Sequence, residues 1–415
     1  MILLLVKIIV PLFLILNIIP LLIWLERKGS AFIQDRHGPN RASLFGLRVG
    51  GLLHSLSDVV KLFTKEDFTP THVNKFFFTL APFLTLMVAC TTFAVIPFAN
   101  SISYNGETIS FQAADLNVGI LYILAMTSLG VFGIMMAGWS SNNKFALLGG
   151  LRSSAQMFSY EISMGLVIIS IVLMSGSLEL NGIVIHQTEL PWKWNFLIQP
   201  LACFIFITSA FAETNRTPFD LPEGEAEIVG YHVEYSSMKF AMFFMAEYAN
   251  MIIASALIAT LFFGGWQVPF LSTDFLRAHA EEALFILVLV HGILFMGIGG
   301  LVLSKYKKGR YGDRRDNETL VLGAPLLLVG LGISLFALFH GTFLLTENGR
   351  QIVTAFVQFG MFMGKLLFFC WLFIWVRWTL PRFRYDQLMH LGWKAMMPLS
   401  LINIAVTAVV MYFKK

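Results

Sequence analysis

Apolar runs long enough to cross a lipid bilayer recur along the whole of this 415-residue sequence. A hydrocarbon core of about 30 Å needs roughly 20 helical residues, and backbone polar groups in lipid are satisfied only in helices or closed barrels. The runs lie at about 2–25, 76–98, 116–138, 155–174, 195–212, 239–263, 283–303, 321–343, 352–377 and 395–413. The sequence therefore predicts an all-α polytopic membrane protein with about ten spans, forming one integral membrane domain over residues 1–415.

The composition agrees with a lipid environment. Hydrophobic residues make up 57% of the chain and charged residues 13%, whereas a soluble domain is about half apolar and a quarter charged. The first run is longer than a signal-peptide core and ends in charged residues from Glu26 to Lys28, without a small-residue cleavage site. We expect it to be a retained first span.

The cysteines exclude several kinds of redox site. Cys90, Cys203 and Cys370 lie far apart inside apolar runs, so their spacing offers no zinc site, iron–sulfur ligand set or disulfide framework. The sequence also has no G-x-G-x-x-G fingerprint and no Walker loop. We expect the chain to bind no metal or redox cofactor and no nucleic acid, so any redox chemistry belongs to partner subunits.

Basic residues are concentrated in alternate loops. Loops 26–75, 139–154, 213–239, 304–320 and 377–394 carry 22 of the 29 Lys and Arg residues. By the positive-inside rule these loops are cytoplasmic. The sequence thus predicts a bacterial-type inner membrane protein with both termini on the periplasmic side.

The segment from Leu44 to Phe63 is too polar to span a membrane. Its apolar residues recur at helical spacing on one side, at Leu52, Leu56, Val59 and Phe63, and polar ones lie opposite, at His54, Ser57, Asp58 and Lys61. This pattern predicts an amphipathic helix at the membrane interface or against a partner. A plain connector is the alternative.

Three charged residues inside predicted spans call for an explanation: Glu161, Glu247 and Lys365. Such residues usually face a protein interior or a wet cavity. The loop between spans five and six is rich in acids, namely Glu213, Asp220, Glu223, Glu225, Glu227 and Glu234. Crowded carboxylates at low dielectric titrate as a coupled set, as a proton relay requires. We therefore expect a half-channel from the cytoplasm to mid-membrane; a solvated acidic loop is the alternative.

Two further segments contain residues that a basic flank of a membrane span would not require. The first loop includes Gln34-Asp35-Arg36 and Gly38-Pro39-Asn40, and these turn-forming residues indicate a fixed backbone path. The ninth span exits through an arginine-rich stretch, residues 375–386, in which Pro381 ends the helix.

Four sequence blocks carry a resemblance to a known family. They are Glu26 to Arg41, Asp58 to Glu66 (DVVKLFTKE), Ala212 to Tyr235 with Ala246 to Asn250, and Phe373 to Gly392 (FIWVRWTLPRFRYDQLMHLG). These blocks are similar to those of the quinone-proximal membrane subunit of respiratory complex I, the proton-pumping NADH:quinone oxidoreductase. The resemblance covers roughly residues 1–265 and 352–413.

The resemblance implies a subunit that is not catalytic alone and that takes quinone as its substrate. Arg27, Arg36 and Asp58 would belong to the quinone portal, and spans two to six would form a five-helix half-channel unit. The acidic path would be lined by Glu161, Glu213, Asp220, Glu223, Glu225, Glu227, Glu234 and Glu247. Iron–sulfur centres and flavin are expected in partner subunits of the membrane and hydrophilic arms.

One region departs from the family pattern. Family members usually have eight spans, whereas residues 266–351 add two, and we expect a peripheral helix pair that contacts lipid or an extra subunit. Three alternatives remain for the function. They are the homologous membrane subunit of a hydrogenase or formate hydrogenlyase-type complex, a stand-alone secondary transporter and a purely structural membrane anchor.

Overall fold

Helices make up most of the computed structural model, which describes residues 2–44, 46–104, 107–221, 228–306, 317–341 and 344–414. The helices are α1 (Ile2–Ile33), α2 (Leu53–Thr64), α3 (Lys75–Thr92), α4 (Gly119–Ser140), α5 (Lys144–Ser175), α6 (Leu180–Gln187), α7 (Asn195–Ile198), α8 (Pro200–Glu213), α9 (Ser237–Phe262), α10 (Thr273–Ala278), α11 (Ala280–Ser304), α12 (Glu318–His340), α13 (Glu347–Thr379), α14 (Tyr385–His390) and α15 (Met397–Lys414). A π-helical turn, Leu391–Met396, joins the last two. Strands β1 (Ile102–Tyr104) and β2 (Glu107–Ile109) form a small antiparallel pair in which Ser103 faces Thr108.

Within the described ranges, nine helices are long and apolar enough to cross a membrane. This confirms the predicted all-α polytopic class. The predicted fifth span, 195–212, differs from the prediction because the helix breaks at Gln199, whose backbone leaves helical geometry at φ −129° and ψ 64°. Helix α8 begins at Pro200 and has only 14 residues, which cover about 21 Å.

Helix ends are set by local chemistry. α3 and α5 begin after Asn74 and Asn143, whose side chains each accept a hydrogen bond from the backbone N–H two residues further on. α5 ends at Ser175, and Gly176, which follows it, adopts a left-handed φ of 67°. α1 continues to Ile33, beyond the predicted end near residue 25, and the chain turns only where Asp35 and Gly38 adopt positive φ. Residues 26–33 are therefore helical.

Five helices close into a ring. α3 packs against α4 and α9, α4 against α5, α5 against α8, and α8 against α9. These helices correspond to predicted spans two to six. Within the ring, α9 is the most buried, with 72% of its apolar stretch inside the protein. α1 and α13 pack on the outer side of α9, and α15 packs on α5.

Both ends of α9 are fastened to neighbouring segments. At its start, Ser237 donates a hydrogen bond of 2.9 Å to the carbonyl of Leu62, and Lys239 forms an ion pair of 3.1 Å with Asp67. At its other end, Lys365 of α13 donates to three carbonyls at 2.8–2.9 Å, those of residues 263, 265 and 267. The ammonium group also lies 4.4 Å from the ring centre of Trp194. The charge inside the ninth span thus caps a helix C-terminus, where cations are favoured.

α11 and α12 lie where the sequence predicts two extra spans, and they pack closely against each other. A Cβ placed on Gly299 would lie 2.5 Å from the backbone nitrogen of Leu327, and one on Gly330 would lie 2.4 Å from that of Met296. Small residues allow such close approach of helix backbones in membranes. The pair meets α13 through α11, and most of its remaining surface is exposed.

Candidate functional site

Glu26, near the end of α1, is the centre of a polar cluster. One carboxylate oxygen accepts a 2.6 Å contact from Arg377 of α13, and the other accepts from Arg216 at 3.4 Å and from the hydroxyl of Tyr248 at 2.9 Å. The Arg216 guanidinium lies 4.1 Å from the ring centre of Tyr248. A carboxylate that is nearly buried is therefore shared by two arginines, and four separate segments meet at this point.

A second carboxylate, Asp220, follows in the loop after α8. It is 7% exposed and accepts a hydrogen bond of 2.9 Å from Arg382. Burial raises the pKa of Asp220 to about 6, although the guanidinium of Arg382 acts in the opposite direction. Asp220 can consequently bind or release a proton close to physiological pH.

Glu247, on α9, is the next carboxylate inward. The hydroxyl of Tyr231 donates to it at 2.6 Å. Burial lowers the pKa of the neighbouring His232, while the negative charge of Glu247 acts to raise it. Two groups that can carry protons, a carboxylate and an imidazole, therefore interact here.

Glu161, on α5, and Glu213, the last residue of α8, both interact with hydroxyl groups of α4. The hydroxyl of Ser128 donates to Glu161, and Glu213 interacts electrostatically with Glu161 and forms a hydrogen bond with Thr127. Buried Gln156 holds the adjoining turn because its amide donates to two backbone carbonyls, those of residues 212 and 219, each at 2.7 Å.

Four cavities follow one another through these groups. An open pocket of about 350 Å³ between α1 and α13 includes Arg27 in its lining, and the next cavity, of about 200 Å³, includes Asp220. Two small cavities, of about 30 and 10 Å³, lie inside the ring. Neighbouring cavities share a charged residue: Arg377 borders the first and second, Glu247 the second and third, and Glu213 the third and fourth.

Comparison with known proteins identifies the family. A family model described as NADH dehydrogenase matches residues 6–316 and 317–408. The chain belongs to this family. One NADH-quinone oxidoreductase subunit of Solibacter usitatus is 46% identical over 92% of this chain and 90% of that protein. The corresponding subunit of Cytophaga hutchinsonii is 43% identical over 92% and 89%, and that of Koribacter versatilis is 39% identical over 99% and 97%. The resemblance stated from the sequence is confirmed, and the match runs through residues 266–351, which the sequence analysis left outside the resemblance.

In this NADH dehydrogenase family member, two of the three predicted portal residues lie together. Arg27 lines the open pocket and forms an ion pair with Asp58 of α2. Arg36 is exposed and donates to Gln34 at the rim of the same pocket. The predicted amphipathic helix is observed as α2, and its apolar side chains Leu56 and Phe63 are exposed, as a helix at the membrane interface requires.

The predicted acidic residues divide into three groups. Glu213, Asp220 and Glu247 line the cavities, and Glu161 interacts with one of them. Glu234 instead accepts a hydrogen bond of 2.5 Å from Asn143 at the start of α5. Three of the predicted residues lie outside the described ranges: Glu223, Glu225 and Glu227.

Sequence reasoning assigns no role to several residues at this site, namely Glu26, Arg216, Tyr231, Tyr248 and Arg377. In the sequence, Glu26 looks like part of a charged flank. A usable signal is present, because Glu26 follows buried Leu22 by four residues on the same helix face. A carboxylate in that position faces the protein interior. The tyrosines offer no comparable signal.

Proposed function

We propose that this chain is the quinone-proximal membrane subunit of a proton-pumping NADH:quinone oxidoreductase, where it lines the quinone portal and links quinone reduction to proton movement. The series of four cavities joined by Arg377, Glu247 and Glu213 carries the proposal. The relatives are named as subunits of NADH-quinone oxidoreductase, which supports membership of such a complex. The nine long apolar helices found in the described part of the chain and the bacterial relatives support a multi-pass inner membrane protein. The orientation of the termini stays a prediction.

The open pocket offers suitable chemistry for a quinone. Its lining combines guanidinium groups of Arg27 and Arg377 with the apolar surfaces of Ile33 and Trp378. Arginine donors suit the two carbonyl oxygens of a quinone head, and apolar side chains suit its tail. Two electrons from an iron–sulfur centre of a partner subunit and two protons would convert the quinone to a quinol.

The second cavity is suited to hold water that conducts protons. Among the described residues, Arg216 Nε and Nη2 and Asp220 Oδ1 are buried polar atoms without a hydrogen-bond partner. Unpaired buried polar atoms beside a cavity of about 200 Å³ favour bound water. Negative charge that develops on a quinone beside Arg377 would compete for the arginine with Glu26 and raise the proton affinity of nearby carboxylates. Asp220, Glu247 and Glu213 would then pass protons inward.

The test measures inhibitor-sensitive NADH:quinone reductase activity in membranes from a strain that lacks the gene and is complemented with wild type or Asp58→Asn. Deletion is expected to abolish the activity. Asp58→Asn is expected to raise the KM for quinone about tenfold, because the neutral amide cannot hold Arg27 as an ion pair. NADH oxidation by an artificial acceptor that takes electrons upstream of quinone is the control and should persist in Asp58→Asn. Full inhibitor-sensitive activity in the deletion strain would contradict the proposal. Loss of hydrogen or formate metabolism in that strain, with normal NADH oxidation, would assign the chain to a hydrogenase-type complex.

A further inference from the structure

Glu318, in the first turn of α12, contacts a turn that lies 270 residues earlier in the chain. One of its carboxylate oxygens accepts hydrogen bonds from the backbone N–H groups of Arg48 and Val49, both at 2.8 Å. The helix pair α11–α12 is thereby joined to the segment that leads into α2.

The geometry of this turn is suited to an anion. Arg48 has right-handed helical geometry (φ −110°, ψ −19°), and Val49 follows with a left-handed φ of 48°. Successive N–H groups in this right-left arrangement converge to form an anion-binding nest. Positive φ is unfavourable for a β-branched residue and persists only where surrounding contacts hold it. The carboxylate of Glu318 occupies the nest and supplies such a contact.

Two other segments hold the same turn. The indole N–H of Trp24, on α1, donates to the carbonyl of Gly50 at 3.2 Å. Gly51 lies so close to Pro39 that an added Cβ would be 1.9 Å from the proline carbonyl oxygen. The turn is therefore held between α1, the first loop and α12. α2 begins two residues later and carries Asp58, the partner of Arg27 in the open pocket.

We propose that Glu318 is a positioning residue for the quinone portal: its carboxylate fills the nest at Arg48 and Val49 and thereby sets the position of α2 and of the Asp58–Arg27 pair. The inference rests on the proposed function because it assigns the portal to this pocket. Under this inference, the helix pair α11–α12 stabilises the position of the portal. Glu318 itself does not line the open pocket.

The first test reads the turn directly, without any quinone. Amide hydrogen exchange is measured by mass spectrometry in the intact complex for peptides that cover residues 46–56. Glu318→Ala is expected to accelerate exchange at Arg48 and Val49 by about tenfold, because two N–H groups lose a charged acceptor. Glu282→Ala, which removes an exposed glutamate from the first turn of α11, is the matched control and should leave exchange unchanged. Unchanged exchange in Glu318→Ala would overturn the proposal.

The second test separates KM from kcat. Glu318→Ala is expected to raise the KM for a long-tailed quinone about three- to tenfold while kcat stays within about twofold, because the portal moves and the reaction centre does not. Glu318→Gln keeps an acceptor oxygen and should give a smaller effect. Adding Val49→Gly to Glu318→Ala should restore much of the KM, because glycine adopts a positive φ without support.

The outcomes distinguish this inference from the proposed function. Faster exchange together with an unchanged KM in Glu318→Ala would mean that Glu318 holds the turn without positioning the portal. The inference would then be wrong, while the proposed function would stand if Asp58→Asn still raised the KM. An unchanged KM in Asp58→Asn would count against the portal assignment itself.

Discussion

The five-helix ring and the α11–α12 pair differ in what their helices enclose. The ring encloses cavities bordered by Glu213 and Glu247, and its α9 is mostly buried. The pair has no cavity among the four described, and glycines bring its helix backbones together. Carboxylates are tolerated where protein surrounds them, whereas helices that face lipid are held by close van der Waals packing of small residues. Among the described residues, the carboxylates that line these cavities therefore belong to the ring, whereas glycines bring helices close together in both regions, as at Gly138 in the ring and Gly299 in the pair.

The largest expected effect is on the ring. Glu247→Gln removes the carboxyl that borders two cavities, and a neutral amide cannot release a proton. Coupled proton pumping should fall by roughly 10²-fold, the range typical for loss of a positioned proton-transfer group. NADH-driven quenching of a pH-sensitive dye in inverted membrane vesicles measures the rate of proton pumping. Glu234→Gln, which changes an acid bonded to Asn143, is the control and should pump normally. Equal pumping by the two variants would contradict the prediction that Glu247 matters more for proton transfer than Glu234.

Next is the cap of α9. Lys365→Met leaves three carbonyl oxygens without their donor, so the free energy of unfolding should fall by roughly 3 kcal/mol or more. The detergent-solubilised complex is heated, and release of this subunit is monitored to obtain the Tm of each variant. Lys144→Met alters an exposed lysine in the first turn of α5 and should have little effect. A similar Tm for both variants would contradict the capping role.

The pH dependence of stability tests Asp220. In the folded protein its carboxyl keeps a proton up to pH about 6, whereas an unfolded aspartate loses it near pH 4. The folded state therefore binds more protons between these values, so stability falls as pH rises from about 4 to 6 and then stays level. Asp220→Asn should remove this contribution, which amounts to at most about 3 kcal/mol. Unfolding midpoints across this pH range, with the exposed Asp386→Asn as control, measure the slope. An unaltered slope in Asp220→Asn would show that other groups cause it.

The smallest expected effect is in the helix pair. Gly299→Ala places a methyl group where α12 leaves no room, and such overpacking costs about 1–3 kcal/mol. Gly297→Ala, two residues earlier on α11, meets open space and should be neutral. Tm measurements on the two variants compare them directly. Equal Tm values would mean that the close approach at Gly299 does not stabilise the pair.

Features governed by local sequence could be predicted. Span positions follow from hydrophobic runs, and α2 follows from the spacing of Leu56 and Phe63. The break before α8 had a local signal in Pro200, which favours the first position of a helix. Glu161 and Glu247 stood out because charges are rare in spans.

Features that depend on distant contacts could not be predicted. The cluster at Glu26 joins four segments, and the bond from Glu318 to Val49 spans most of the chain. The spacing of apolar and polar residues in the sequence does not indicate contacts between residues so far apart. Lys365 was recognised as unusual, but its carbonyl partners belong to the loop after α9, whose path depends on the tertiary fold. The sequence thus indicates which segments carry charged residues inside spans, and the fold determines which of those groups meet.

The two fastenings of α9 restrict how this helix can move. Ser237 holds one end to α2, Lys239 holds it to the segment after α2, and Lys365 holds the other end to α13. Sliding of α9 along its axis would break hydrogen bonds at both of its ends. Proton transfer at Glu247 by side-chain rotation and water rearrangement would leave the contacts at both ends of α9 intact.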